Sequence, residues 1–520
     1  MNAKKISALL LAAAMMVPCA APAQTVLAEE AGAIETTEAE GKAPKYIFLF
    51  IGDGMSYPQI QTTNYYLSAL ADDGDEILTS QSNLNMMSFP VSGSAQTYDS
   101  TSFCPDSAST ATSIATGHKT YSGTINMDEK METPYETIAE KLKAQLGYKI
   151  GILSSVNLNH ATPAAFYAHQ ASRNSYYEIG QELIDSGFDY FAGGGLKKTT
   201  GDEEDKQDLY ELAQEAGYKV IKTKAEAEAL TAEDGKAIVI DETLADSDAM
   251  SYAMDLEEGE WGLADYVQKG IEVLDNDNGF FMMVEGGKID WACHANDAGA
   301  TITDTLAMDE AVGKAVDFYN EHPDETLILV TGDHETGGLT IGFAGTDYDT
   351  FLTNLENQKI SYAKFDSDYV TAYKENQTDF DTVMADVTEL FGLRAPNGEA
   401  ETANQADSKD VHPESEDTGS LVMTEYEYNK LKAAYDETMT RTGEEEEFGQ
   451  EEYLLYGSYE PLTVTITHIL NNKSGINFSS YAHTGLPVEV MAMGVGQDDF
   501  AGYYDNTDIY NKVAALTGVQ

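Results

Sequence analysis

Tyr46-Ile47-Phe48-Leu49-Phe50-Ile51-Gly52-Asp53-Gly54-Met55 carries the pattern on which the architecture of the chain turns. Its first six residues are apolar without alternation, the pattern of a strand buried on both faces. Gly52-Asp53-Gly54 then stops the run with turn residues, one of them a carboxylate. The same punctuation recurs downstream. Phe280 to Val284 leads into Glu285-Gly286-Gly287-Lys288-Ile289-Asp290-Trp291-Ala292-Cys293-His294, and Thr326 to Thr331 leads into Gly332-Asp333-His334-Glu335-Thr336-Gly337-Gly338.

Between these runs the periodicity switches. Glu136 to Leu146, Tyr176 to Asp185, Leu263 to Leu274 and Thr303 to Tyr319 read as helices. Lys149 to Leu153, Phe188 to Phe191, Ala237 to Ile240 and Val488 to Val495 read as further strands. Strand–helix alternation implies an α/β fold: a mostly parallel central sheet with helices on both faces. Chemistry in such a sheet gathers outside the carboxyl ends of the strands. From about Gly345 to Tyr459 the rhythm breaks. That interval is rich in Tyr, Asp and Glu, with helical patches at Phe380 to Leu390 and Thr424 to Met439. Between them lie a polar stretch, Asn397 to Ser420, and the charge run Glu444 to Glu447. It reads as a surface insertion or subdomain.

The 520 residues carry 30 basic and 89 acidic side chains, a net charge of −59. Such a field argues against binding nucleic acid or anionic membranes. It also repels anionic substrates at long range, so an anion site needs strong local positive charge, which metal ions supply. Met1 to Ala28 has the form of a signal peptide: Lys4 and Lys5, an apolar run from Ile6 to Val17, and small residues at two cleavage sites. An acidic leader, 29–43, follows, and no later stretch is apolar enough to span a membrane. The expectation is export to the periplasm, cell surface or medium. Of three cysteines, Cys104 and Cys293 fall outside the signal. One bridge and two buried thiols are both open.

Asp106-Ser107-Ala108-Ser109-Thr110-Ala111-Thr112-Ser113-Ile114-Ala115-Thr116-Gly117 follows Pro105 and reads as the start of a tightly packed helix. Ser107 is then a hydroxyl beside a helix N-terminus, where an anion is favoured, although a small-residue run also suits plain helix packing. The strand ends supply metal-type ligands. Asp290 and His294, four apart, share a helical face as a chelating pair requires. Asp333-His334 pairs a carboxylate with an imidazole, and His483 stands just before a strand. Four of nine histidines (His160, His294, His334, His483) fall in such settings. Metal ions beside a serine lower its hydroxyl pKa, stabilise a leaving oxygen and activate water.

Taken in order, these residues resemble the alkaline phosphatase family from Lys45 to the end of the chain. The match rests on Gly52-Asp53-Gly54-Met55, Asp106-Ser107-Ala108, His160-Ala161-Thr162-Pro163-Ala164 and Ala168-His169-Gln170-Ala171-Ser172-Arg173. It continues through Glu285-Gly286, Asp290, His294, Thr331 to Gly338, and Ala482-His483-Thr484-Gly485. The resemblance implies a catalytic domain over 44–520 that hydrolyses phosphate monoesters, with Ser107 as nucleophile and Arg173 as phosphate clamp. It implies one zinc on Asp290, His294 and His483, and a second on Asp53, Asp333 and His334, touching Ser107. A third, magnesium-type site would use Asp53, Thr162 and Glu285. His160 stands there where some members carry Asp, which leaves the third ion's identity open. Trp291 stands where some carry Lys or His and reads as a packing residue on the site wall. Lys288 reads as a solvated lysine. The family often forms homodimers; no stretch here marks an interface.

Two kinds of alternative remain. Sulfatases place Cys or Ser in C/S-x-P-x-R, whereas Cys104-Pro105-Asp106-Ser107 has proline one place early and Ala108 where arginine would fall. Phosphodiesterases of the superfamily share the scaffold. A non-catalytic metal-binding surface protein is a different class, and the presence of both nucleophile and clamp argues against it.

Overall fold

The computed structural model describes residues 43–71, 83–346, 348–397, 421–441 and 448–520. Met1–Ala28, the leader up to residue 42, residues 398–420 and Glu444–Glu447 lie outside the described residues. The strands are Tyr46–Gly52 (β1), Val91–Gln96 (β2), Lys149–Ser154 (β3), Tyr190–Gly193 (β4), Lys219–Ile221 (β5), Ala237–Ile240 (β6), Phe280–Gly286 (β7) and Thr326–Gly332 (β8). After them come Glu335–Thr336 (β9), Thr340–Ile341 (β10), Ile476–Asn477 (β11), His483–Thr484 (β12), Val488–Gly494 (β13) and Gly502–Asp505 (β14). Ten of them form one sheet in the order β14-β2-β13-β8-β1-β7-β3-β4-β6-β5. Only β13 runs against its neighbours β8 and β2; the other pairings are parallel.

The unbroken apolar run of β1 is explained by burial from both sides. Phe48 and Phe50 face one hydrophobic cluster with Val284, Ile328 and Val330. Ile47, Leu49 and Ile51 face the other with Phe281, Met283 and Leu329. Each such side chain contributes about 1.5–3 kcal/mol when fully buried. The mostly parallel α/β sheet expected from the sequence is therefore the fold observed. Helices Tyr176–Asp185 and Leu263–Leu274 fall at the expected residues. The expected Thr303–Tyr319 helix is longer, Ala298–Glu321, because the Asp297 carboxylate caps it by accepting the Ala300 N–H at 3.0 Å. The strand expected at Phe188–Phe191 is shifted to Tyr190–Gly193. Asp189 is engaged instead in accepting the Ile150 N–H (3.0 Å) and a Lys143 ion pair (2.8 Å).

Strands β2, β5 and β14 had no counterpart in the sequence reading. In the 345–459 interval, Phe365, Val383, Phe391 and Leu431 pack into the cluster that covers Phe48 and Val330. Cys104 is exposed, Cys293 is buried and both thiols are free, so no bridge joins them. No described helix is long and apolar enough to cross a membrane.

Register aligns the strand ends. Gly52 of β1 lies opposite Gly286 of β7 and Gly332 of β8. A Cβ on Gly332 would stand 1.8 Å from the Met55 carbonyl oxygen, so the chain leaving β1 crosses directly over the end of β8. Gly332→Ala must push these backbones apart. It should cost about 1–3 kcal/mol, the usual scale for overpacking, read as a lower denaturant midpoint with unchanged slope. A variant as stable as the parent would show that the crossing is not this close.

Candidate active site

The turn after β1 delivers Asp53, and the turn after β8 delivers Asp333 and His334. Gly54 holds them together. Its φ of +71° suits glycine, its N–H donates to Asp333 Oδ1 at 3.1 Å, and a Cβ there would meet Asp290 Cα at 2.9 Å. Asp290 and His294 lie on the Lys288–His294 helix that follows β7, with Oδ2 and Nε2 3.4 Å apart. Opposite them stands the Ser107–Thr116 helix, capped by Asp106, whose Oδ1 accepts the Ser109 N–H at 3.2 Å. Ser107 Oγ lies 3.2 Å from His334 Nε2 and 3.5 Å from Asp53 Oδ1.

The residues singled out from the sequence thus converge on one place. Asp53, Ser107, Thr162, Glu285, Asp333 and His334 are almost fully buried, as are Asp290 and His160, while Arg173, His294 and His483 are partly exposed at the mouth. Three groups of possible metal ligands result: Asp290, His334 and His483; Asp53, Asp333 and His334; and Asp53, His160 and Glu285. Thr162 donates to Asp53 Oδ2 at 3.2 Å beside the third group. His294 completes the first, with Nε2 3.1 Å from His483 Nε2.

The electrostatics call for cations. Burial pushes Asp53 well above the usual carboxylate range, with Asp333, Asp290 and Glu285 adding to it. Burial likewise raises Glu285 to about 8, and burial plus Asp290 raises Asp333 to about 7. Asp290 moves the other way: burial opposes its charge, but His294, His483 and His334 outweigh it. Among the described residues, Glu285 Oε1 and His160 Nδ1 are buried without a hydrogen-bond partner. The histidine rings agree. His294 Nδ1 pairs with the Tyr481 carbonyl at 2.6 Å, and His483 Nδ1 pairs with the Pro105 carbonyl. Carbonyls accept, so both rings carry a proton on Nδ1 and turn Nε2 toward each other and toward Asp290. Burial opposes a charge on His294, but Asp290 outweighs it and pushes the ring up to about 9. Two imidazoles, each held through Nδ1–H by a carbonyl and aiming Nε2 at one carboxylate, have the arrangement of metal-ligating histidines. The donor set fits metal ions.

Arg173 approaches from the loop after His160. Its Nη1 donates to Asp106 Oδ2 at 2.8 Å, and Nη2 lies 3.2 Å from His160 Nε2. Burial works against the Asp106 charge, yet Arg173 and the Gly123 N–H hold the carboxyl down at about 2. Burial and Arg173 push His160 down to about 3, so its ring is uncharged and accepts from Arg173.

Two positions differ from expectation or refine it. Lys288 is not solvated. It is fully buried, its Nζ 2.8 Å from Asp246 Oδ1 and over the rings of Tyr252 (4.1 Å) and Trp291 (4.7 Å). A carboxylate from a distant segment, itself open to solvent, together with two aromatic faces outweighs its preference for water. Trp291 stands edge-on to His160 with ring centroids 5.9 Å apart, on the site wall as expected. The sequence reading missed Thr336, which donates to Asp290 Oδ1 at 2.6 Å and lies 3.2 Å from His334 Nδ1. It also missed Thr110, which donates to Asp333 Oδ2 at 3.0 Å, and the pairing of Asp106 with Arg173. The Asp106 cap was the available signal, because a cap carboxylate beside Ser107 is close to whatever Ser107 binds.

A buried serine, clustered carboxylates and imidazoles, and an arginine held at a parallel sheet's carboxyl edge define a metal-binding hydrolase of anionic esters. A family model described as "Alkaline phosphatase" matches residues 44–519. Alkaline phosphatase 4 of Bacillus subtilis is 28% identical over 478 residues, 90% of this chain and 87% of that one. The cold-active alkaline phosphatase of the psychrophile Shewanella sp. superposes with a TM-score of 0.70 at 26% identity, covering 91% of this chain and 99% of that one. A histidine-to-glutamate mutant of the TAB5 alkaline phosphatase, with magnesium bound in its M3 site, has a TM-score of 0.58 at 25% identity, covering 92% and 100%. This chain belongs to the alkaline phosphatase family: it is a phosphomonoester hydrolase that binds metal ions.

A ligand that binds only the folded state stabilises it by about 2.7 kcal/mol at a hundredfold excess over its Kd. Chelation should therefore lower the melting temperature by several degrees, and added divalent metal should restore it. An unchanged melting curve after verified metal removal would contradict the electrostatic account.

Proposed function

We propose that hydrolysis proceeds through a phosphoserine on Ser107, with two zinc ions and one magnesium-type ion. The observation that carries this reading is the Ser107 hydroxyl beside Asp53 and His334, with the next residue back, Asp106, holding Arg173. Asp290, His294 and His483 would hold one zinc, and Asp53, Asp333 and His334 the other. Asp53, Thr162 and Glu285 would hold the third ion with His160 alongside. A histidine there lowers the negative charge and adds a nitrogen donor, which weakens the preference for an oxygen-seeking cation. A TAB5 alkaline phosphatase holds magnesium in its M3 site in a mutant with glutamate in place of a histidine, so that structure speaks for magnesium beside an added carboxylate. When bound, such ions supply the positive charge that lowers the pKa of a serine hydroxyl, neutralises a leaving oxygen and activates water.

The chain's own residues then act in order. Arg173, its Nη1 fixed on Asp106, presents its remaining N–H groups to the phosphate, a bidentate geometry that lysine lacks. Ser107 Oγ attacks phosphorus, forming the Oγ–P bond as the ester O–P bond breaks, and the alcohol leaves in line toward Asp290, His294 and His483. Water then enters from that mouth, displaces Ser107 Oγ and releases inorganic phosphate. Small phosphate monoesters suit the site, and an alcohol in place of water would accept the phosphoryl group. The Met1–Ala28 segment supports an exported enzyme; a homodimer is the assembly the family suggests.

Turnover of an aryl phosphate, compared with its diester and sulfate analogues, tests the reading: fast monoester hydrolysis supports it, and preference for diester or sulfate overturns it. Ser107→Ala should lower kcat by at least ~10³-fold, as removal of a nucleophile does, and leave no phosphate label on the protein. Arg173→Ala removes charge-assisted hydrogen bonds worth about 1.5–3 kcal/mol. It should weaken inhibition by phosphate roughly ten- to a hundredfold while metal content stays normal; unchanged inhibition would remove Arg173 from the clamp.

A further inference from the structure

We propose that Asn296 is a positioning residue that ties the chain segments bearing His294 and His483 into one rigid ligand pair. The inference rests on the proposed reading that these two histidines share an ion.

Asn296 lies two residues beyond His294, where the Lys288–His294 helix ends. It is 2% exposed and has a φ of +53°, the left-handed conformation that closes helices and that asparagine tolerates better than most residues. Its backbone N–H donates to the Cys293 carbonyl at 3.0 Å, and its own carbonyl accepts from Asn471 Nδ2 at 2.7 Å. The side chain completes the junction. Nδ2 donates to the Cys293 carbonyl and to the Ser480 carbonyl, each at 2.9 Å, and Oδ1 lies 3.0 Å from His468 Nε2.

Donor and acceptor identities make the residue specific. Two carbonyls require two N–H donors, so the amide nitrogen faces them and the oxygen faces His468. Burial pushes His468 down to about 4, so its ring is neutral and gives its one proton from Nε2 to Asn296 Oδ1. Aspartate has the same shape but would set a carboxylate oxygen against both carbonyls. Ser480 is next to Tyr481, whose carbonyl accepts the His294 Nδ1–H. The 480–483 segment continues into His483, which pairs in β12 with Thr336 of β9. Asn296 therefore fixes the distance between the helix end that carries His294 and the segment that both orients the His294 ring and carries His483. Hydrogen-bond partners behind metal-ligating histidines typically govern affinity ten- to a hundredfold.

Asn296→Gly keeps the left-handed cap and deletes the side-chain bridge; Asn296→Asp keeps the shape and deletes the donors, and serves if the glycine variant does not fold. Both are compared with wild type and His294→Ala by cobalt titration of the metal-free protein. The visible absorption band reports site geometry, zinc competition gives affinity, and thermal unfolding gives stability. The expected result is a ten- to hundredfold weaker affinity and an altered band at the His294 site, with the other sites holding metal as in wild type. Wild-type affinity and band in a folded Asn296 variant would overturn the inference alone. Equal weakening of every site with a collapsed melting temperature would reduce Asn296 to general stability and also overturn it. If His294→Ala itself leaves cobalt binding unchanged, the ligand reading fails and the inference falls with it.

Discussion

Asp53, Glu285, Asp290 and Asp333 are crowded at one end of the sheet, nearly dry, with His294 beside Asp290 and the field of Arg173 acting on Asp53. Like charges removed from water cannot stay ionised together without compensation. The raised Asp53, Glu285 and Asp333 express that conflict. Divalent ions resolve it. They also answer a problem set by the whole molecule, because a chain of net charge −59 needs concentrated positive charge to hold a phosphate.

The sheet creates this crowding by register. Gly52, Gly286 and Gly332 lie side by side on three parallel strands, so the residues around them reach the same level. Glycine at Gly54 and Gly332 then lets backbones cross at distances that a side chain would forbid. Asp53 and Asp333 are neighbours for this reason, though 280 positions separate them in the chain. The Ser107 helix closes the site from the opposite side, and its capping residue, Asp106, also orients the arginine.

Much of this was legible in the sequence because it is written locally. A continuous apolar run ending in glycine and an acidic residue marks a doubly buried strand and the turn after it, and Asp53, Glu285, Asp333 and His334 sit at such marks. What escaped depends on partners distant in the chain. Strand β2 contains Gly93, where a Cβ would meet the Phe500 carbonyl oxygen at 2.1 Å, so its small residues serve close packing instead of an apolar pattern. Lys288 is buried because Asp246, Tyr252 and Trp291 surround it, and no local pattern announces that. Thr336 and Asn296 act through hydrogen bonds to other segments, and their residue types alone suggest only a strand and a cap.

The central claim is that clustered buried carboxylates and paired imidazoles are held together by cations. Elemental analysis of the purified protein, with phosphomonoesterase activity followed as metal is removed and restored, tests it most directly. The account predicts three divalent ions per chain, with activity lost on removal and regained with zinc. Full activity in protein carrying fewer than one ion per chain would contradict it.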